Sequence, residues 1–394
     1  MIGKDIKSSY VCARRYVERC CIEVEQDGQV IQAFTEREGK NRVTDWGGTS
    51  SALSMLHKIG NSGSSNIVSK IERASEWLLA DQKEDGSWEA AEMQCCEATS
   101  AVLYDLNETG LLTEKITEKA LDFIGKCYVE RNGYFVSMPD IDQVPHIYTT
   151  FLAVRTLSTM SRSITDKWKC DVIEWIKSAV AADGRWNAVP NCVEGDVAHT
   201  VFALLTLLYC GVPVVELKKS YKRQIKWLIS QIKNCTVLGG AFSYEATEAY
   251  SAKERDSYGD CAYILKSYHF NAALLCTLFL KIGRIGVAQR LIAKIIKLRG
   301  IQDGWGLPDG KIFVWATQQA VECMYDYEAK IHSDTFWGTV RSVCFCVPLL
   351  GVKILIATIL IPTILWLFQD AQKGADIVLS IIVAIIPWLV KRED

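Results

Sequence analysis

The stretch Trp77-Leu-Leu-Ala-Asp-Gln82-Lys-Glu-Asp85-Gly86-Ser-Trp88, followed after a short connection by Thr99-Ser-Ala-Val102-Leu103-Tyr-Asp-Leu106, is one copy of a recurring unit. Its turn returns as Asn132-Gly133-Tyr134, Asp183-Gly184-Arg-Trp186, Gly239-Gly240-Ala-Phe242 and Asp303-Gly304-Trp305, with a weaker first copy at Asp27-Gly28. The second half of the unit keeps a register: Thr49-x-x-Ala52-Leu53-x-x-Leu56, Thr99-x-x-Val102-Leu103-x-x-Leu106 and Thr150-x-x-Ala153-Val154-x-x-Leu157. It continues as Thr200-x-x-Ala203-Leu204-x-x-Leu207, Asn271-x-x-Leu274-Leu275-x-x-Leu278 and Thr317-x-x-Ala320-Val321-x-x-Met324. Apolar residues three, four and seven positions after the start mark one face of a helix. The first halves, such as 67–79, 168–180 and 224–232, read as amphipathic helices. Six helical hairpins, twelve helices in all, follow. Such units cannot bury their apolar faces alone and must stack, and their helical period excludes a propeller.

The bulk numbers agree with a large packed core. The chain has 394 residues, 49% hydrophobic and 23% charged, with a net charge of −2. That balance excludes a disordered chain and argues against nucleic acid as a partner, which calls for a basic stripe. The 15 cysteines, including Cys20-Cys21 and Cys95-Cys96, show no framework spacing and fall in apolar helical patterns, as reduced buried thiols do. The polar, charged segment 1–16 is unlike a signal peptide.

Gln82-x-x-x-Gly86-x-Trp88 resembles the glutamine–tryptophan repeat of squalene-hopene and oxidosqualene cyclases, and the whole unit is similar to the prenyltransferase and squalene-oxidase repeat. The resemblance covers about residues 10–330, closest in repeats two, four and six. It implies an all-α, α6/α6 toroid over 1–332, with inner helices lining a central cavity. It also implies that Gln82 and Trp88 tie one helix end to the next unit, a structural role.

The resemblance further aligns Asp196-Val197-Ala198-His199-Thr200 with the Asp-x-Asp-Asp-Thr acid motif of triterpene cyclases, whose middle aspartate protonates the substrate. Ala198 holds that position here. An imidazolium at about 6.5 is a weaker acid than a carboxylic acid at about 3.9, roughly 3.5 kcal/mol less driving force for protonating an alkene. Asp196 and His199 remain the catalytic candidates for an enzyme on this scaffold, but family-type cyclisation is expected to be lost. Diphosphate ionisation fares no better, since the chain has no adjacent aspartates for Mg²⁺. A zinc site like that of protein prenyltransferases has only Asp260, Cys261 and His269 as weak candidates, with Trp315 where repeat six would need a histidine. Cys96-Glu97-Ala98 lacks the residues of a thioester. No cofactor is expected.

Candidate ligand contacts lie just before the inner helices, where a toroid's cavity opens: His146, Tyr148, Trp186, Asp196, His199, His269 and Trp315. The bland alternative for the histidines is hydrogen bonding at a helix start. The connection from Gly240 to Asn271 is 31 positions long and mixes aromatics with acids, Tyr258 and Asp260 among them. It reads as a lid over an amphipathic or cationic ligand, or as a solvated insertion.

Beyond His332 the chain changes character. The stretches 343–368 and 377–390 are apolar apart from Lys353, and basic residues flank them at Arg341 and Lys391-Arg392. The expectation is a membrane hairpin over 333–394, with both ends and the toroid in the cytoplasm, Trp366 and Trp388 in the spans, and Lys353 snorkelling or facing a partner helix in an oligomer. The functional expectation is a membrane-anchored, non-catalytic toroid that binds an isoprenoid-like or other amphipathic ligand, or a protein, in its cavity, as a bacterial sensor or effector would. The alternative is an isoprenoid-processing enzyme of the cyclase or prenyltransferase class held at the membrane lipid.

Overall fold

The structure, a computed structural model, describes residues 2–26, 29–40, 47–60, 65–90, 93–130, 132–139, 145–160, 166–190, 192–236, 238–249, 263–300 and 303–333. The chain divides into two compact units, Met1–Tyr327 and Glu328–Asp394. The second is described only over 328–333, the last turns of a helix.

The six expected hairpins are present. The inner helices are Gly47–Ile59, Cys96–Asn107, Ile147–Thr159, Val197–Tyr209, Asn271–Lys281 and Val314–Ser333. The outer helices are Ile2–Arg19, Ser65–Ala80, Glu114–Lys126, Asp166–Ser178, the pair Val214–Ser220 and Lys222–Gln231, and Ile285–Lys297. Burial explains the two classes. In the repeat-four inner helix every residue from Ala198 to Leu207 is buried, His199, Thr200 and Thr206 included, whereas the outer helices bury one stripe each.

The inner helices of repeats one to five pack in chain order. The repeat-six helix joins both neighbours: Cys323 Sγ donates to the Ala273 carbonyl at 3.2 Å, and Glu322 lies 3.3 Å from Lys58 of repeat one. Outside, Tyr16 of the first helix donates its hydroxyl to the Ile312 carbonyl at 2.6 Å. The ring is closed.

The repeated turn explains the repeated sequence. Gln82 Nε2 donates to the Gly86 carbonyl and to Ile116 of the next outer helix, both at 3.0 Å. Trp88, Trp186 and Trp305 are fully buried, and each indole Nε1 donates to a carbonyl of its own outer helix, Leu78, Ile176 and Ile295. Threonine at the start of the register receives the turn's backbone N–H: Thr99 from Trp88, Thr200 from Trp186, Thr317 from Trp305, and likewise Thr150 from Phe135 and Thr49 from Phe34. Repeat one therefore uses Phe34 in the tryptophan's place, while Asp27-Gly28 lies outside the described residues. Gly86 has φ +95°, and a Cβ there would stand 2.1 Å from the Lys119 carbonyl oxygen, so glycine alone lets the turn rest on the next outer helix.

Two findings add to or overturn the expectations. First, the connections of the helical toroid carry four two-stranded antiparallel hairpins among the described residues, and the 240–271 connection contains the longest, Phe242–Ala249 paired with Tyr263–Phe270. The second strand, with Tyr263, Ile264, Tyr268 and Phe270, is rich in the aromatic and β-branched residues that suit a pleated surface, while Phe242–Ala249 has Phe242, Tyr244 and Thr247. Second, the fold class with two transmembrane helices and the membrane localisation are overturned: among the described residues no helix is long and apolar enough to cross a membrane. The stretches 343–368 and 377–390, with Lys353, Trp366 and Trp388, lie outside the described residues.

Candidate functional site: the central cavity

All six inner helices contribute to a central cavity of about 480 Å³. It has an aromatic end and a charged end. The first is built where inner helices start. There Tyr148, Phe202 and His269 form a cluster with ring centroids 5.0–5.1 Å apart, and Phe151 stacks on Phe202 at 4.8 Å. Trp315 and Phe313 line the same cavity.

Behind this wall lie the other two candidate histidines, His146 and His199. The His199 ring is 5.4 Å from that of His269 and 5.9 Å from that of His146. Asp196 caps the repeat-four inner helix, accepting from the His199 backbone N–H at 2.9 Å, and its second oxygen is 2.6 Å from His199 Nδ1. His146 caps the repeat-three helix, its Nδ1 accepting from the Tyr148 N–H at 3.3 Å. Neither Asp196, Ala198 nor His199 reaches the cavity lining, and Ala198 is fully buried.

The charged end is built from the middle and last turns of the inner helices. Asp105 is buried and accepts from Ser50 at 2.9 Å, Ser51 at 3.4 Å and Gln318 Nε2 at 2.9 Å. Burial pushes its carboxyl up to about 7, with the nearby Glu322 charge adding to the effect. Burial and Glu322 likewise raise Asp326 to about 6. Lys58 bridges Glu322 and Glu108, and these two acids outweigh the burial that would otherwise lower its affinity for a proton. Arg155 places its guanidinium carbon 3.7 Å from the Tyr104 ring centroid and 5.2 Å from that of Phe151. Its Nε makes no hydrogen bond among the described residues.

Of the residues expected to contact a ligand, Tyr148, His269 and Trp315 line the cavity. His146, His199 and Asp196 lie behind it. Trp186 faces the packed turn instead. Tyr258, Asp260 and Cys261 lie outside the described residues. Among the described residues, no group of three or more His, Cys, Asp and Glu could hold a metal ion. The charged floor was not anticipated, though a signal existed. Five positions after the six register starts come Ser54, Tyr104, Arg155, Leu205, Cys276 and Glu322, and of these Tyr104, Arg155, Leu205 and Glu322 line the cavity. Charge at that position, between small and apolar neighbours, marks an inward-facing polar site.

The family described as the prenyltransferase alpha-alpha toroid domain matches residues 87–254. Among solved structures, the type II terpene cyclase MstE from Scytonema is similar, with 11% identity, a TM-score of 0.50, and coverage of 83% of this chain and 99% of that one. A protein from Actinoplanes follows at 10% identity and a TM-score of 0.46, covering 84% and 99%. No curated protein matches. At such identities the likeness is one of fold alone: the chain is a helical α/α toroid.

Proposed function

We propose that the toroid is a receptor for an amphipathic, isoprenoid-like ligand, which it binds in the central cavity without cyclising it. One observation carries the reading: the cavity and its aromatic wall are intact, while the repeat-four acid position is a buried alanine. Asp196 is taken up by a helix cap and a histidine. The aromatic end suits a hydrocarbon chain, and the floor of Asp105, Arg155 and Gln319 suits a polar head group.

Asp105 does not restore the missing acid. At about 7 instead of its ordinary 3.8, it gives up on the order of 4 kcal/mol of driving force for protonating an alkene. The same carboxyl is, however, the observation favouring a second reading, an isoprenoid-processing enzyme, because a group titrating near neutrality can exchange protons with a bound polar head. Mass spectrometry of what co-purifies with the protein tests the first reading; a bound isoprenoid-like lipid is expected. Incubation with polyprenyl substrates separates the two. Unchanged substrate is expected, and a product lost on Asp105→Asn replaces the receptor with the enzyme.

A further inference from the structure

The aromatic wall of the cavity selects a ligand's tail, and the charged floor selects its head. Among the described residues lining the cavity, Arg155 is the one lysine or arginine, against Glu36, Asp105, Glu322 and Asp326. Most of these acids are already engaged. Glu36 lies 3.8 Å from both Arg37 and Lys40. Lys58 stands 3.3 Å from Glu322 and is shared with Glu108 at 2.9 Å. Asp105 accepts from Ser50, Ser51 and Gln318.

What is left over is specific. Arg155 is held between the Tyr104 and Phe151 rings and makes no ion pair among the described residues. Its Nε is buried without a hydrogen bond, and so are two acceptors on other residues that line the same cavity, Gln319 Oε1 and Glu322 Oε1. Buried polar atoms in this state cost stability until a partner arrives. The floor therefore offers one donor and two acceptors to whatever occupies it.

We propose, resting on the receptor reading above, that the head group is an uncharged hydroxyl and the ligand a free prenyl alcohol. Its oxygen accepts from Arg155, and its proton is donated to Gln319 or Glu322. A hydroxyl supplies an acceptor and a donor at once and adds no charge. A phosphate head would bring about two negative charges beside Asp105, Glu322 and Asp326, with one guanidinium to answer them. That floor is already crowded with acids: burial and the Glu322 charge push Asp105 up to about 7 and Asp326 to about 6. Nor do the acids converge on a cation that could bridge to phosphate, since no group of three among the described residues could hold a metal ion. A protonated amine would meet the guanidinium that no carboxylate pairs.

Equilibrium binding of farnesol, farnesyl diphosphate and farnesylamine to the full chain is the test, because the three share one tail. Farnesol is expected to bind at least about tenfold more tightly than either charged analogue. This ranking is read on the parent protein and needs no variant to fold. Arg155→Met should then weaken farnesol about tenfold, as loss of a hydrogen bond to a charged group does. Trp315→Leu, at the aromatic end, should weaken all three ligands alike. Tighter binding of the diphosphate or the amine, or equal binding of all three, overturns the hydroxyl head and leaves the receptor standing. Farnesol binding that Trp315→Leu weakens and Arg155→Met does not overturns the seat on the floor. No binding of any of the three, or binding that neither variant weakens, removes the receptor and the head group together.

Discussion

The two ends of each inner helix follow different rules. At the start, the six repeats agree closely: an aromatic residue fills the turn, and a threonine receives its backbone N–H in five of them. Past the middle they disagree, and the same helical position holds Ser54, Tyr104, Arg155, Leu205, Cys276 or Glu322. Repetition marks what each unit needs to meet its neighbour. Divergence marks what the ring as a whole presents to its cavity. The difference teaches where to look for function in a repeat protein: at positions where the period is kept and the residue is not.

Mutations at the two ends should therefore fail differently. Trp88→Ala removes a fully buried indole and its bond to Leu78, and should cost up to about 5 kcal/mol in chemical denaturation. A loss under about 1 kcal/mol would mean that the turn is not a structural joint. At the other end, the effect is one of pH. Asp105 binds its proton more tightly folded than unfolded, so its contribution is fully present below about pH 4 and is lost as pH rises through about 7. The parent protein should lose on the order of 4 kcal/mol from this group across that window. Asp105→Asn should flatten the profile measured by urea unfolding at pH 5 and pH 8, and an unchanged slope would remove Asp105 as its source.

Smaller effects sharpen the contrast. Thr150→Val leaves the Phe135 N–H buried without a partner and should cost about 1–3 kcal/mol with cavity binding unaltered. Trp186→Phe keeps most of the apolar packing but orphans the Ile176 carbonyl, for about 1–2 kcal/mol. If either variant changed the lipid that co-purifies, the separation between joint and cavity would fail.

Much of the ring is legible in the residues themselves. The register locates every inner helix, because the turn's backbone N–H demands a hydroxyl acceptor at the same point in five units, with Asn271 in that place in the remaining one. The hairpin Phe242–Ala249 with Tyr263–Phe270 was not legible as strands, since a long connection rich in Tyr and Glu has no helical period to contradict a loop. The site was legible only in part. Tyr148, His269 and Trp315 follow from their place before inner helices. Asp105 and Asp326 do not, because their meeting depends on which faces turn inward, and that is set by closure of the ring.

Closure has one more consequence. The Tyr16–Ile312 bond brings the N-terminal helix against the connection that precedes the last inner helix. An open solenoid frays from its terminal repeats and needs caps for them. Here the first repeat is simply the neighbour of the sixth, so the toroid has no terminal repeat to fray, and its natural break in the backbone is one of six equivalent places. A circularly permuted toroid that opened at the exposed connection around Gly110, with 327 joined to 2, would keep every inter-repeat joint described above.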